Sequence, residues 1–584
     1  MPPKARTASR RRSSSPKSGP SIRDAIAQLL GERASLASRV PQFLRWPPDA
    51  FAVAAYLLEE TGAYISILSN WPPRLAALHR GPLGGKVDEM TGRRWVAFAT
   101  DSGKEWRSRA TPDVPKSAPP LIGALWQEVR AVLDEALNAL PNHKDAVTAL
   151  ICLLTIADDA SEGVGVPERR RGAGAKEGEE DDFMENAAVR LWATGYIGRA
   201  TLCRWVQTDR VVVLPKMRTP ESGITIRSLS HHLALARSNV RAIWHQADVP
   251  IGAERHNALN LLVVPWPRRV TPMQFAPEPS LDRSMLPDRI DFFSFERRSD
   301  GTDAVPVWVE LEGLVRQATK IAGKVDGIVF PEMSLSREEC SRITERLASF
   351  NVNFLIAGVH DEGATPKAPR LNLAAIRVRL EDDGEGLADF EQSKHHRWFL
   401  DDRQIVQYGL GTRLDPTKKW WEYTEITERR VHFIALASWL AFSVLICEDL
   451  ARPDPAGELI RAVGPNLLVA LLQDGPQLAA RWPGRSAAPL ADDPGCSVLT
   501  VTSLGMTLLS RPLGGKPASR AVAMWRESGG DALELSLEPD ADALLLCLVG
   551  RDQTQWTADG RDDGGVTGRI GLAGIHQVTS PTRP

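Results

Sequence analysis

The chain is poor in the residues that would mark a metal, disulfide or membrane protein. Its six cysteines, at positions 152, 203, 340, 447, 496 and 547, form no CxxC pair and no metal-ligand spacing. A zinc set drawn from Cys203, His231, His232 and His245 fits no common site. No apolar core follows the N-terminal basic residues as in a signal peptide, so free thiols and a reducing cytoplasm are expected. The longest uncharged run, Phe433 to Cys447, is interrupted by Ser438 and Ser443 and falls short of the ~20 apolar residues a spanning helix needs, which argues against a membrane partner. Charge of either sign is not in excess: 71 Lys and Arg stand against 73 Asp and Glu, a formal net charge of -2. Phosphate loops are absent as well. Gly81–Lys86 and Gly514–Lys516 lack the spacing and the Ser or Thr after lysine, and Gly409-Leu410-Gly411 lacks the third glycine of a dinucleotide motif.

What is present divides into segments. Residues 1–20 hold Lys4, Arg6, Arg10, Arg11, Arg12 and Lys17 with no acid and almost no large apolar residue, which predicts a disordered basic leader. A weak nucleic-acid contact would reside there, because the remainder is mildly acidic. Residues 21–250 read as an α-rich domain. Ser21 caps a first helix, Phe51–Ile67 gives a second, and Leu121, Leu125, Val129, Val132, Ala136 and Leu140 mark one face of another between Pro119-Pro120 and Pro141. Ala146–Ala157 is apolar nearly all round and should be buried. A charged loop at 163–182 follows, then a helix over Met184–Ile197. The stretch Arg210–Ala236 gathers Lys216, Arg218, Arg227, His231 and His232. It reads as a connector, with a strand at Val211–Leu214 and a helix capped by Ser228 or Ser230 running toward Trp244.

From Leu259 strands and helices alternate, the grammar of an α/β layered fold whose sites gather at strand ends. Three strand-end positions stand out. Gly327–Phe330 delivers Pro331 and then Glu332; FEQSKHH carries Lys394; and FSVLICEDLARPD places Cys447 where a buried strand stops. A carboxylate, an ammonium and a thiol converging in one place form a coherent machine: base, oxyanion stabiliser and nucleophile. Cys340 and Cys496 lie outside this pattern, and Lys418–Tyr423 (KKWWEY) reads as core or interface. Residues 551–584, polar and rich in glycine, read as a flexible or draped tail.

The order Glu, Lys, Cys in the contexts VFPE, SKHH and LICEDLARPD resembles the carbon–nitrogen hydrolase (nitrilase) superfamily over about residues 259–550. The resemblance implies a four-layer αββα sandwich, often oligomeric. It also implies hydrolysis of a small-molecule, non-peptide amide through a Cys447 thioester, with Glu332 as base and Lys394 as oxyanion stabiliser, and with no metal or organic cofactor. Oxyanion or substrate contacts would come from the N–H of Glu448 and from His395. Many relatives have a second glutamate soon after the lysine. Here HHRWFLDDRQIVQYG contains none, so Asp401, Asp402 or Gln404 would have to serve. ARWPGR, with Arg481, Trp482 and Arg485, is only loosely similar to the substrate-side segment, and the insertion Val270–Val305 is long.

Two functions follow. One is an amidase-like hydrolase in which the helical half controls access, assembly or partner choice. The other is a nitrilase-fold sensing or binding module in a multi-component system, such as bacterial defence, for which the basic leader and the segment Lys216–His232 speak. The chain lacks a polymerase YxDD motif, so in such a system it would be a partner or a relative of the polymerase-bearing proteins.

Overall fold

A computed structural model describes residues 19–581 except 32–35, 37, 80–85, 87–89, 111–116, 168–181, 222, 238–239, 248, 250–256, 280, 297–304, 362–369, 381–385, 427, 512–516 and 566–567. The basic leader and most of the charged loop 163–182 thus lie outside the described residues. The strands of the second half assemble into two seven-stranded sheets. The first runs, edge to edge, Leu387–Ser393, Leu371–Arg379, Phe354–Asp361, Gly327–Ser336, Ala258–Val263, Ala543–Asp552 and Gly568–Val578. The second runs Leu533–Ser536, Ala521–Arg526, Ser497–Thr502, Leu467–Leu472, Leu440–Ile446, Arg430–Ala437 and Arg241–Gln246.

Strand alternation decides how these sheets stack. Phe442, Val444 and Ile446 point inward and share one core with Val329, Ile356 and Leu544 of the opposite sheet. Their neighbours Ala441 and Leu445 point outward into a second core with Leu459, Ile460 and Ala487. On the other side Ile328 and Phe330 pack outward against Leu311, Leu314 and Ile343. Helices Val307–Ala322 and Arg337–Thr344 therefore cover one sheet, and Glu458–Val463 and Trp482–Asp492 the other. Four layers result, αββα.

The α-rich half packs on the outside of the second sheet. Helix Lys144–Asp159, buried at every position from Ala146 to Asp158, is its centre. Its side chains and those of Pro47–Thr61 belong to the same continuous apolar cluster as Phe433, Leu445 and Leu468.

Three sequence expectations are corrected. The helix from Leu121 ends at Arg130, and Leu137–Asn142 is a separate 3-10 turn, because this stretch closes against the start of the first helix through Ile22 N–H to Glu135 O (3.0 Å) and Leu137 N–H to Pro20 O (2.9 Å). No helix runs from Ser228 toward Trp244. Instead Leu233–Ala236 pairs with Val212–Pro215, and Arg241–Gln246 becomes the edge strand of the second sheet, parallel to Arg430–Ala437. The Asp158 carboxylate takes the main-chain N–H groups of His231, His232 and Leu233, and so holds the chain extended there. Lastly, the stretch expected as a tail over 551–584 holds a strand: Gly568–Val578 pairs antiparallel with Ala543–Asp552.

The loop between these last two strands clasps the helical half. Arg561, 2 % exposed, donates to Asp559 (2.9 Å), to Asp158 (3.2 Å), to Asp159, and to the carbonyls of Thr155 (3.1 Å) and Leu229 (2.8 Å). Asp559 is fixed in turn by Trp95 Nε1 (2.8 Å) on its side chain and by Trp71 Nε1 (3.2 Å) on its carbonyl. Burial pulls the guanidinium pKa down, but the three carboxylates more than offset it and hold the charge in place. The cationic connector serves the same structural end. Lys216 Nζ is spent on the carbonyls of Arg227 and Ser230, and Arg227 forms a two-pronged pair with Asp493 at 2.6 and 2.7 Å. Truncating one partner of a buried ionic network leaves uncompensated charge. Arg561→Ala is therefore expected to cost about 3–5 kcal/mol in urea unfolding, against about 0.5 kcal/mol or less for Arg485→Ala on the exposed surface.

Candidate active site

Lys394 and Cys447 follow strand ends, whereas Glu332, expected at the end of Gly327–Phe330, sits at a bulge inside a longer strand. The strand Gly327–Ser336 slips register between Phe330 and Leu335, which bulges Glu332 out of the ladder, and Met333 follows at φ 56°. The bulge needs room: a Cβ on Gly358 of the neighbouring strand would stand 2.4 Å from Glu332 Cα, so only glycine fits. Lys394 comes directly after Leu387–Ser393. Cys447 ends the buried strand Leu440–Ile446 in a left-handed conformation, φ 46°, and opens a 3-10 turn. Such a backbone is rare for a residue with a side chain and is a recurrent feature of functional positions. The turn also leaves its first N–H groups, Glu448's among them, without an intrahelical acceptor.

These groups meet in a buried hydrogen-bonded network with a fourth member the sequence did not announce. Lys394 Nζ donates to Glu332 Oε1 at 2.8 Å and to Glu422 Oε2 at 2.5 Å. Asn372 Nδ2 bridges the same two carboxylates, 2.7 Å to Glu332 and 2.8 Å to Glu422. The Gln473 N–H donates to the other Glu332 oxygen at 2.6 Å, and the Trp398 N–H to Glu422 at 3.1 Å. The Cys447 thiol lies in the field of Glu332, Lys394, Asp474 and Glu422, in that order of strength.

Electrostatics set the resting state. Burial raises the Glu332 carboxyl pKa above the usual range, with Lys394 opposing and Glu422 assisting that rise. Burial alone would lower Lys394, but the two glutamates overcome it and hold the ammonium well up. Burial and the Glu332 charge push the Cys447 thiol well above its ordinary value, with only Lys394 opposing. Burial and charge thus favour the neutral thiol at Cys447 and the ammonium at Lys394.

Glu422 takes the place that the sequence offered to Asp401, Asp402 or Gln404. It closes the strand Lys419–Glu422, part of a four-stranded sheet ordered Phe399–Leu400, Lys419–Glu422, Ile290–Phe295 and Phe275–Pro277. The insertion and the KWWE strand build this sheet together over the site, around Phe275, Phe293, Trp398, Tyr408 and Trp420. Asp401 and Gln404 instead cap helix Asp402–Gln407 reciprocally, and Asp402 is exposed in its first turn. The signal for Glu422 was an acid at the end of an alternating aromatic strand.

His395 and the side chain of Glu448 make contacts within the fold. His395 is buried, with Nε2 2.8 Å from Arg430 O and its main-chain N–H on Asp449 at 3.0 Å, and His396 Nδ1 also meets Asp449 at 3.0 Å. Asp449 thus ties the SKHH segment to the turn that Cys447 opens. The Glu448 side chain pairs with Arg452. Sequence reading also missed Asp474, two residues beyond the strand Leu467–Leu472. Its Oδ1 accepts from Tyr408 OH (2.6 Å) and Arg481 Nη2 (3.0 Å). Among the described residues no group of three or more His, Cys, Asp or Glu is placed to hold a metal ion, and all six cysteines are free.

No family model matches the chain, and no curated protein does. Solved structures are similar to about half of it. They include an amidase from Nesterenkonia sp., 14 % identical over 50 % of this chain and 92 % of that one with a TM-score of 0.30. Nit3 of Saccharomyces cerevisiae, a member of branch 10 of the nitrilase superfamily, is 12 % identical over 48 % and 86 % with a TM-score of 0.30. A carbon–nitrogen hydrolase from Helicobacter pylori G27 is 12 % identical over 56 % and 90 % with a TM-score of 0.28.

Glu422→Gln removes one of the two anions that solvate the buried Lys394 ammonium. A loss of about 3–5 kcal/mol is expected in equilibrium unfolding, whereas Asp402→Asn should stay within about 0.5 kcal/mol. Equal effects would show that Glu422 is not a member of the network.

Proposed function

We propose that the chain hydrolyses a non-peptide amide, or a related C–N bond, through a thioester on Cys447. The carrying observation is the Lys394 ammonium shared by Glu332 and Glu422 beside a thiol whose backbone is left-handed at a strand end. In this reading Glu332 accepts the thiol proton as sulfur attacks the carbonyl carbon. Lys394 and the Glu448 N–H stabilise the oxyanion that forms. The tetrahedral adduct collapses, the C–N bond breaks, and the amine leaves with the proton held by Glu332. Water then attacks the thioester, giving its proton to Glu332, and the second collapse releases the acid and returns the proton to sulfur. Glu422 keeps Lys394 charged and placed throughout.

A second reading, a nitrilase-fold sensing module with little or no turnover, draws support from the closure of the site, where Cys447 is 1 % exposed under the small sheet. The two separate on chemistry. A small amide electrophile such as 2-fluoroacetamide is expected to add its acetamide group to Cys447 faster than to the other five cysteines, with Glu332→Gln slowing that addition at least about tenfold. Uniform slow labelling, with no ammonia released from simple amides, would sink the hydrolase and leave the module. If turnover occurs, kcat/KM should fall on the acid side with an apparent pKa above 4.5, because the base must be ionised and burial raises the Glu332 value. An acid limb at or below 4.5 would exclude Glu332 from that role.

A further inference from the structure

One buried acid at the site has no work in the mechanism above. Asp474 is 1 % exposed, and its position is over-determined. Its carbonyl accepts from Thr502 Oγ1 at 2.6 Å, and Oδ1 accepts from both Tyr408 OH and Arg481 Nη2. Tyr408 OH in turn accepts from the Gly475 N–H at 3.0 Å, and Arg481 Nη1 donates to Pro476 O at 2.9 Å. Glycine at 475 admits this closeness, since a Cβ there would stand 2.7 Å from Arg481 Nη1 and from Ser510 Oγ. Everything that could satisfy the carboxylate has been gathered on one oxygen. The other, Oδ2, is buried with no hydrogen-bond partner. A buried carboxylate oxygen left without a donor is costly, and such groups in folded proteins call for an explanation.

The place of that oxygen supplies one. Leu471 pairs with Ile446 across the second sheet, so the residues that follow these two strands, Gln473-Asp474 and Cys447, leave the same sheet edge side by side. Gln473 already serves the site through its N–H on Glu332. The charges acting on the thiol are then Glu332, Glu422 and Asp474 against Lys394, with Asp474 also paired to Arg481 and Asp449 engaged by the His395 N–H and His396. The acids are in excess, and they are buried where opposite charge is felt strongly.

We propose that Asp474 is the substrate-recognition residue of this site, its Oδ2 receiving an N–H donor of a cationic nitrogen, an ammonium or amidinium, carried by the amide substrate. The inference rests on the hydrolase reading and narrows it: amides bearing a positive group are taken, and amides bearing a carboxylate are rejected, because a second anion would meet the unpartnered Oδ2 of a buried acid. Docking such a cation also offsets the Asp474 charge, one of the charges that, after burial and Glu332, hold the Cys447 thiol in its protonated form. Recognition and activation of the nucleophile are thereby coupled.

The test uses three probes of similar length and opposite charge: 4-aminobutyramide, butyramide and succinamate, with ammonia release measured on the full chain. The expected order of kcat/KM is 4-aminobutyramide over butyramide over succinamate, with at least about tenfold between the first and the last. Asp474→Asn should flatten that ratio, which is read within one protein and so does not depend on how much total activity the variant keeps. Binding gives a readout free of turnover: Cys447→Ser should bind 4-aminobutyramide more tightly than butyramide by calorimetry, and Cys447→Ser with Asp474→Asn should lose the difference. Binding with that preference but no ammonia from any probe upholds the recognition site and overturns the hydrolase. Turnover without charge preference, a preference for succinamate, or a preference that survives Asp474→Asn overturns the recognition site and leaves the hydrolase standing. Absence of both turnover and binding overturns the recognition site as well.

Discussion

The buried ammonium of Lys394 is the constraint on which the second half of the chain depends. An isolated charge of this kind cannot be kept in a protein interior, and it would lose its proton or its place. Here it is kept by two carboxylates that are themselves buried, and each of these is held by further donors: Asn372 on both, the Gln473 N–H on Glu332, the Trp398 N–H on Glu422. Satisfying one charge therefore recruits the bulged strand of the first sheet, the end of the strand beside Cys447 in the second, and the small sheet above them. The insertion that looked like an irregular interruption is one of the supports of this network.

A second buried cation, Arg561, does for the whole chain what Lys394 does for the site. It sits at the tip of the loop between the last two strands, and its acids come from helix Lys144–Asp159 and from the loop itself. Apolar burial already joins the helical half to the outer face of the second sheet. Such burial is not directional. The Arg561 fork and its neighbours, Asp158 on three consecutive N–H groups and two tryptophans on Asp559, supply the direction. The polar, glycine-rich composition of residues 551–567 hid this, because the residues that anchor the loop are charged and would be solvated in any reading that lacks their distant partners.

The same distinction separates what was legible in the sequence from what was not. The α/β layering could be read because apolar alternation is local, and Glu332, Lys394 and Cys447 could be named because each stands at the end of a hydrophobic run with a distinctive neighbour. Glu422 could not, because nothing near it specifies its partner. It lies 28 residues beyond Lys394 and ends a strand whose tryptophans signal core. Asp401 and Gln404 look better in one dimension only because a capping box and a catalytic acid use the same residue types. Asp158 shows the converse: an acid near the end of a buried helix draws a distant segment into extended form and abolishes the helix its sequence suggests.

These couplings bear on whether the site could decay while the fold persists. Cys447 contributes a thiol to the network's edge, and its loss removes no hydrogen bond that another buried group needs. Glu332, Lys394, Asn372 and Glu422 differ, since each is the solvation of the next, and removing any one leaves a buried charge or donor exposed to nothing. A lineage that abandoned catalysis would be free to lose the nucleophile first and would retain the charged members for stability. This chain keeps Cys447 in its left-handed turn, together with the charged groups around it. Stability alone accounts for the charges, whereas the thiol and its left-handed backbone serve no hydrogen bond of the network, and it is on this contrast that the proposed hydrolase reading rests.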